Sequence, residues 1–251
     1  MTTRAPAAPR TADRPGHCLL LHNGDRLDQK TFHALYEQCP PGFRAELVRG
    51  VVYLPSPTSG RHGQPHGRLI QWLYNYTEET PGVEGFDNTS LILSEDDEPK
   101  PDGQLRVRPE CGGQTHDDVK GYIHGACELA AEVANSSVSI DLNAKREAYE
   151  LAGVREYLVW VVANQRVVWF VRRSGAFVEL LPDADGLLKS EAFPGLWLDP
   201  DAVFDPASTR RLTAALRRGL STPEHAAFVA KLEAEAARRA SNPSPAPESL
   251  P

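Results

Sequence analysis

The chain of 251 residues has no apolar run approaching the roughly 20 residues that cross a bilayer. Its opening stretch, MTTRAPAAPRTADRPG, lacks the apolar middle of a secretion signal, so the expected location is cytoplasmic. It also lacks any CxxC pair. Cys18, Cys39, Cys111 and Cys127 are scattered, which excludes the common zinc-finger spacings and leads to an expectation of free thiols in a reducing compartment. Basic residues do not predominate: 27 Lys and Arg stand against 34 Asp and Glu, for a net charge of −7. Such a chain can bind a phosphate backbone only by concentrating positive charge locally. No internal repeat is evident.

What is present reads as a soluble globular protein. Hydrophobic residues make up 41% and charged residues 24%, enough to bury a core as one domain with extensions or as two small domains. Residues 1–16 and 241–251, rich in Pro, Ala and Ser, are expected to be disordered tails. Asp28 is placed to cap a short helix through Thr31, Phe32, Leu35 and Tyr36. Phe43–Leu54 reads as two strands about an Arg49-Gly50 turn. Beyond the turn cluster PSPTSG, Leu69, Leu73 and Tyr76 fall at helical spacing, and Ile70 and Trp72 widen that surface. VEGFDNTSLIL, DGQLRVRP and ELAAEVA read as strands, with residues 110–126 as a loop. In SIDLNAKREAYELAG, Ile140, Ala144, Ala148 and Leu151 share a helical face, and Gly153 stands where a C-cap belongs. VREYLVWVVA and QRVVWFVRR are expected to be the best-buried strands, AFVELL adds another, and 207–240 is helical, an appended hairpin or a partner-binding arm. The expected fold class is α/β or α+β: a central mixed β-sheet flanked by helices over 17–206, with a C-terminal helical extension at 207–240.

Among the polar residues, Glu132 stands out because it lies inside the apolar run CELAAEV, where burial demands a partner. Asp102 follows Pro101, and Gln104 shares its face by the strand period of two. Glu46 lies in the first hairpin and Lys145 at the start of a helical stretch. Three carboxylates and an amine suit metal-assisted phosphodiester cleavage, in which hard oxygens hold Mg²⁺ and a cation meets developing negative charge. An exposed surface carboxylate is the ordinary alternative for any one acid. His62 and His66 stand four apart, as in some zinc sites, but Pro65 intervenes and no third ligand is obvious. Trp160 and Trp169 read as core, and Tyr149 and Tyr157 as packing residues whose hydroxyls can reach a site. Arg172-Arg173, Arg210-Arg211, Arg217-Arg218 and Arg238-Arg239 read as solvated faces rather than phosphate contacts.

Taken in order, AELVRG, SPTSGRHGQ, PDG, AEVANSS, DLNAKREAYELAGVREYLVW and FPGLWLDPDAVF resemble the Uma-type family of candidate bacterial restriction endonucleases, within the PD-(D/E)XK nuclease superfamily. The likeness runs from about Phe32 to Phe204. It implies a restriction-endonuclease-like core with Asp and Glu on adjacent strands facing a metal. Where the superfamily's ExK signature has lysine this chain has Ala134, and Lys145 matches the lysine that this family places on the following helix. A long flexible amine can reach a fixed charge from a different backbone origin. The roles so implied are Mg²⁺ ligation by Asp102 and Glu132, with a carbonyl such as that of Val133, and Mn²⁺ as a substitute. Glu46 would hold an associated water or a second ion, and Lys145 would orient the attacking water or stabilise phosphoryl charge. His62 and Gln104 would lie at the site's edge. The expected function is a Mg²⁺-dependent endonuclease acting on DNA, as a homodimer if both strands are cut. The alternatives are a catalytically weak or inactive nuclease-fold binding and assembly module, and a zinc hydrolase using the histidine pair.

Overall fold

A computed structural model describes residues 18–55 and 60–242, without the side chains of residues 60–62, 206 and 209. The expected N-terminal tail, residues 243–251 of the C-terminal one and most of the PSPTSG turn lie outside the described residues, whereas Ser241, expected in that tail, closes the last helix. In chain order the elements are α1 (Gln29–Tyr36), β1 (Glu46–Val48), β2 (Val51–Tyr53), α2 (Gly60–Glu78), β3 (Val83–Asp87), β4 (Leu91–Ile92) and β5 (Gly103–Val107). Next come β6 (His116–Asp117), β7 (Ile123–His124), β8 (Leu129–Ala134), α3 (Val138–Ile140), a π-helical turn at Asp141–Lys145, and α4 (Arg146–Ala152). The chain closes with β9 (Glu156–Val161), β10 (Arg166–Arg173), β11 (Ala176–Glu179), β12 (Leu188–Lys189), β13 (Trp197–Leu198), α5 (Thr209–Leu220) and α6 (Pro223–Ser241).

Six strands form the central sheet in the order β11-β10-β9-β8-β5-β3. All neighbours are antiparallel except β8 and β9, which run parallel. A parallel pair needs a crossover, and here α3, the π turn and α4 supply it. The sheet is therefore mixed, and the fold is α+β as expected.

Strand β8 shows how the two faces are made. Leu129, Ala131 and Val133 join the larger core, with Leu105, Leu158, Trp160 and Trp169 from neighbouring strands and Leu69, Trp72, Leu73 and Tyr76 from α2. Leu212 and Leu216 of α5 and Leu232 of α6 reach this same core, so the C-terminal helices pack on the sheet's helical layer. Ala130 and Ala134 enter a second cluster with Tyr149, Tyr157 and Val159. Between them, on that second face, lies Glu132. Gly103 lets α2 lie close on β5, since a Cβ there would meet the tip of Leu73 at 2.7 Å.

Several expectations need correction. Strands β5 and β8 are buried along their whole length, as is β9, whereas both ends of β10 are open, because the sheet order places β8 and β9 at its centre. The run VEGFDNTSLIL is two strands, broken at Asn88, whose φ of +48° turns the chain out of the sheet. The loop at 110–126 contains β6 and β7, which join β4 in a small three-stranded sheet. Cys18 and Cys39 form a disulfide, leaving only Cys111 and Cys127 free, so half of the thiol argument for a reducing compartment is lost. Their separation of 21 residues carries no sequence signal; α1 and its flanks bring them together. No helix among the described residues is long and apolar enough to cross a membrane.

Candidate functional site

Four structural pieces bring the site together. The β1–β2 hairpin turns through Arg49 and Gly50, both at positive φ, as a two-residue loop requires when it follows the strands' twist. A bridge from Leu47 to Glu98 ties this hairpin to the segment leading into β5, which sets Glu46 beside Lys100. Glu46 Oε2 accepts a hydrogen bond from the Lys100 backbone N–H at 3.2 Å.

Asp102 stands immediately before β5. The β5–β8 register pairs Gly103 with Ala131, so Asp102 comes opposite Glu132, on the same side of the sheet. The Asp102 carboxylate then continues the ladder, with Oδ2 accepting from the Val133 N–H at 2.8 Å. Glu132 is 4% exposed. Lys145 returns over it from the crossover, also 4% exposed, with Nζ 2.9 Å from Glu132 Oε1 and 2.8 Å from Glu46 Oε2. Glu46, Asp102, Glu132 and Lys145 thus line one cavity of about 330 Å³.

The crossover departs from the expected helix in a way that matters here. Ile140, Ala144 and Leu151 are not its buried stripe; Leu151 is 63% exposed. The buried positions are Asp141, Lys145, Ala148 and Tyr149, a face that is half polar. Pairing with Glu132 compensates the burial of Lys145, which an apolar periodicity cannot register. π-helical turns are rare and are frequent at functional sites. Tyr149 donates its hydroxyl to Glu132 Oε1 at 3.2 Å, while Tyr157 donates to the Asp141 carbonyl at 3.0 Å.

Electrostatics follow from four carboxylates around one ammonium. Burial is the main force raising the Glu132 pKa well above the carboxylate range; Lys145 opposes it, and Asp141, Asp102 and Glu46 add to it. Asp141 is raised by burial too, again opposed by Lys145. For Lys145, burial pulls the pKa down, but Glu132, Glu46 and Asp141 outweigh it and hold the ammonium well above its usual range.

Of the two predicted edge residues, Gln104 does not join this group. Gln104 turns its amide to the Thr89 carbonyl at 3.3 Å and does not line the cavity. The side chain of His62 lies outside the described residues. His66, by contrast, places Nε2 3.0 Å from Asp87 Oδ1 and 3.4 Å from the Asp102 carbonyl. Sequence reasoning missed Asp141, whose one signal was its position four before Lys145, and the cations Arg44 and Lys100, which border the cavity. Most of the conspicuous arginine pairs are neutralised: Arg173, Arg211, Arg218, Arg238 and Arg239 each sit on a carboxylate.

The donor set fits a hard divalent cation. Four carboxyl groups line the cavity, and Asp141 Oδ1 is buried with no hydrogen-bond partner among the described residues. Among the described residues, no three His, Cys, Asp or Glu are spaced to close on one ion. The acids now surround an ammonium at 2.8–2.9 Å, wider than the roughly 2.0–2.1 Å Mg²⁺ demands, so side-chain rotation would accompany ion binding.

Fold and cavity define a class: an α+β protein in which two adjacent strands of a mixed sheet, a hairpin and the crossover between parallel strands bring acids and one lysine into one cavity. Comparison with family models goes one step further. The Uma2 model, described as "Putative restriction endonuclease", matches residues 30–201, and the chain belongs to that family. Membership supports a nuclease-like function. Among solved structures the chain is similar to one titled "a putative nuclease belonging to DUF820" from Anabaena variabilis ATCC 29413. The two are 12% identical with a TM-score of 0.47, over 70% of this chain and 89% of that one. A search of curated proteins finds no match.

Proposed function

We propose that this chain is a Mg²⁺-dependent endonuclease that hydrolyses DNA phosphodiester bonds, with Mn²⁺ able to substitute. The observation that carries this reading is the meeting of Glu46, Asp102, Glu132 and Lys145 in one cavity, although they lie far apart in the chain. Asp102, Glu132 and Glu46 would hold the ion, which supplies Lewis-acid polarisation of the phosphate and activation of water. Lys145, a cation fixed by two carboxylates, is a donor rather than a base; it stabilises negative charge building on the phosphoryl oxygens. Tyr149 orients Glu132 through its hydroxyl.

Arg44 and Lys100 answer the difficulty of an acidic chain binding DNA. Arg44 is exposed and borders the cavity. Among the described residues, Lys100 Nζ has only the Tyr36 hydroxyl at 3.4 Å as a polar contact. These two cations have no carboxylate partner among the described residues, in contrast to the paired arginines elsewhere. They would take the phosphates flanking the scissile bond. Residues 17–206 would form the catalytic domain, with 207–240 as its helical extension, and two copies would cut the two strands of a duplex.

The test is cleavage of plasmid DNA by purified protein with Mg²⁺ or Mn²⁺ and with EDTA. Cutting should need the ion, and Asp102→Asn or Glu132→Gln should lower the rate by about 10²-fold or more, the scale seen when one group that stabilises transition-state charge is removed. Cleavage unchanged in either variant removes the assigned site. An absence of cutting across DNA and RNA substrates favours the non-catalytic module instead.

A further inference from the structure

Asp141 is among the most deeply buried charged groups of the chain, at 2% exposed, and no role was assigned to it from the sequence, although it opens the block DLNAKREAYELAGVREYLVW. Its backbone is held by the Tyr157 hydroxyl, which donates to the Asp141 carbonyl at 3.0 Å. Its carboxylate is held by Ser137, whose hydroxyl donates to Oδ2 at 2.5 Å. These contacts fix the side chain but leave Oδ1 over. That oxygen is fully buried, lacks any hydrogen-bond donor among the described residues, and belongs to a residue lining the acidic cavity. The nearest cation, Lys145 Nζ, is 3.7 Å away, beyond hydrogen-bond reach, and is already engaged by Glu46 and Glu132.

Buried polar atoms are nearly always satisfied, and an orphan calls for an account. Glu128 also leaves one oxygen unpartnered, but away from the cavity; the unpartnered oxygen of Asp141 belongs to a residue that lines it. The Asp141 ion pair with Lys145, at 3.7 Å, is the longest of the three around that ammonium and supplies no hydrogen bond to Oδ1.

We propose that Asp141 Oδ1 is a ligand for a divalent cation, so that the crossover helix contributes a carboxylate as well as the lysine. This rests on the cation-site reading above but does not depend on the substrate. In that arrangement Ser137 is the outer partner that sets the carboxylate's rotation, and the π turn places residues 141 and 145 on the same side of the crossover.

Isothermal titration of full-length protein with Mn²⁺, without nucleic acid, tests it. Asp141→Asn should weaken Mn²⁺ binding by about 10–100-fold, and Ser137→Ala, which frees the carboxylate to rotate, by about tenfold. The Asn variant should melt in EDTA at a temperature no lower than the native chain, because it removes a buried like charge, yet gain less stability from Mn²⁺. Mn²⁺ affinity within twofold of native in Asp141→Asn, while Glu132→Gln loses it, overturns the proposal and leaves the nuclease reading standing. Should Asp141→Asn not fold, native Mn²⁺ affinity in Ser137→Ala overturns it. Weakened Mn²⁺ binding in both variants, in a protein that cuts no nucleic acid, upholds Asp141 as a ligand and removes the nuclease reading. A native protein that binds no Mn²⁺ overturns both.

Discussion

The two faces of the central sheet are built from the same strands and obey different rules. On one face, Leu129, Ala131 and Val133 of β8 disappear into a large apolar layer beneath α2, α5 and α6. On the other, Ala130 and Ala134 flank a buried glutamate that depends on Lys145 and Tyr149 for its partners. The first face draws its stability from area removed from water, which is additive and tolerant. The second balances charges out of water, where each group is costly unless its neighbours are in place. One strand thus carries the fold on its odd residues and the candidate chemistry on an even one.

The largest way to break this contrast is to remove the cation. Lys145→Met leaves buried Glu132 and Asp141, and half-buried Glu46, without their counter-charge and should cost about 3–5 kcal/mol near neutral pH. Urea denaturation across a pH series checks it. Because burial raises the folded pKa of Glu132 and Asp141, the folded state binds protons more tightly than the unfolded one there, so stability falls as pH rises above the ordinary carboxylate range. That decline should be steeper in the Met variant. In the native chain the Lys145 pKa is raised instead, so its contribution is complete below about pH 10.5 and is lost only above it. A pH-independent loss in Lys145→Met would show that packing, not charge, dominates this face.

A comparable change on the dry face should behave differently. Leu158 is fully buried in the apolar layer, and Leu158→Ala should cost about 2–5 kcal/mol, with no new pH dependence. A pH-dependent loss there would mean the two faces are not energetically separate. The smallest effect sharpens the assignment of Tyr149. Tyr149→Phe deletes one hydroxyl from Glu132 while keeping the ring against Tyr157, and should cost about 1 kcal/mol in stability. Its effect on cleavage should exceed its effect on folding if the hydroxyl orients Glu132 for catalysis; equal small effects would reduce Tyr149 to a packing residue.

Much of the dry face was legible in the chain. Periodicity located α2 and the strands at β5, β8, β9 and β10, and Asp28 does cap α1, accepting from the Thr31 N–H. The Arg49-Gly50 turn and the Gly153 C-cap, in the left-handed region at φ +92°, also follow local chemistry. The wet face was legible only as separate residues. Glu132 drew notice because an acid inside an apolar run needs a partner, whereas Asp141 and Lys145 counted as polar positions and so rotated the apparent buried face of the crossover by one residue.

By itself, the order of residues determined most of the long strands and helices, pointed to a mixed sheet, and made four polar residues stand out from a solvated surface. Tertiary structure alone decided that positions 46, 102, 132, 141 and 145 share one cavity, that Cys18 meets Cys39, and that a π turn carries Asp141 inward. The physical reason is range. Burial of an apolar side chain is announced by its immediate neighbours in the chain, but burial of a charge is stabilised by partners from distant segments, and only the folded backbone brings those together.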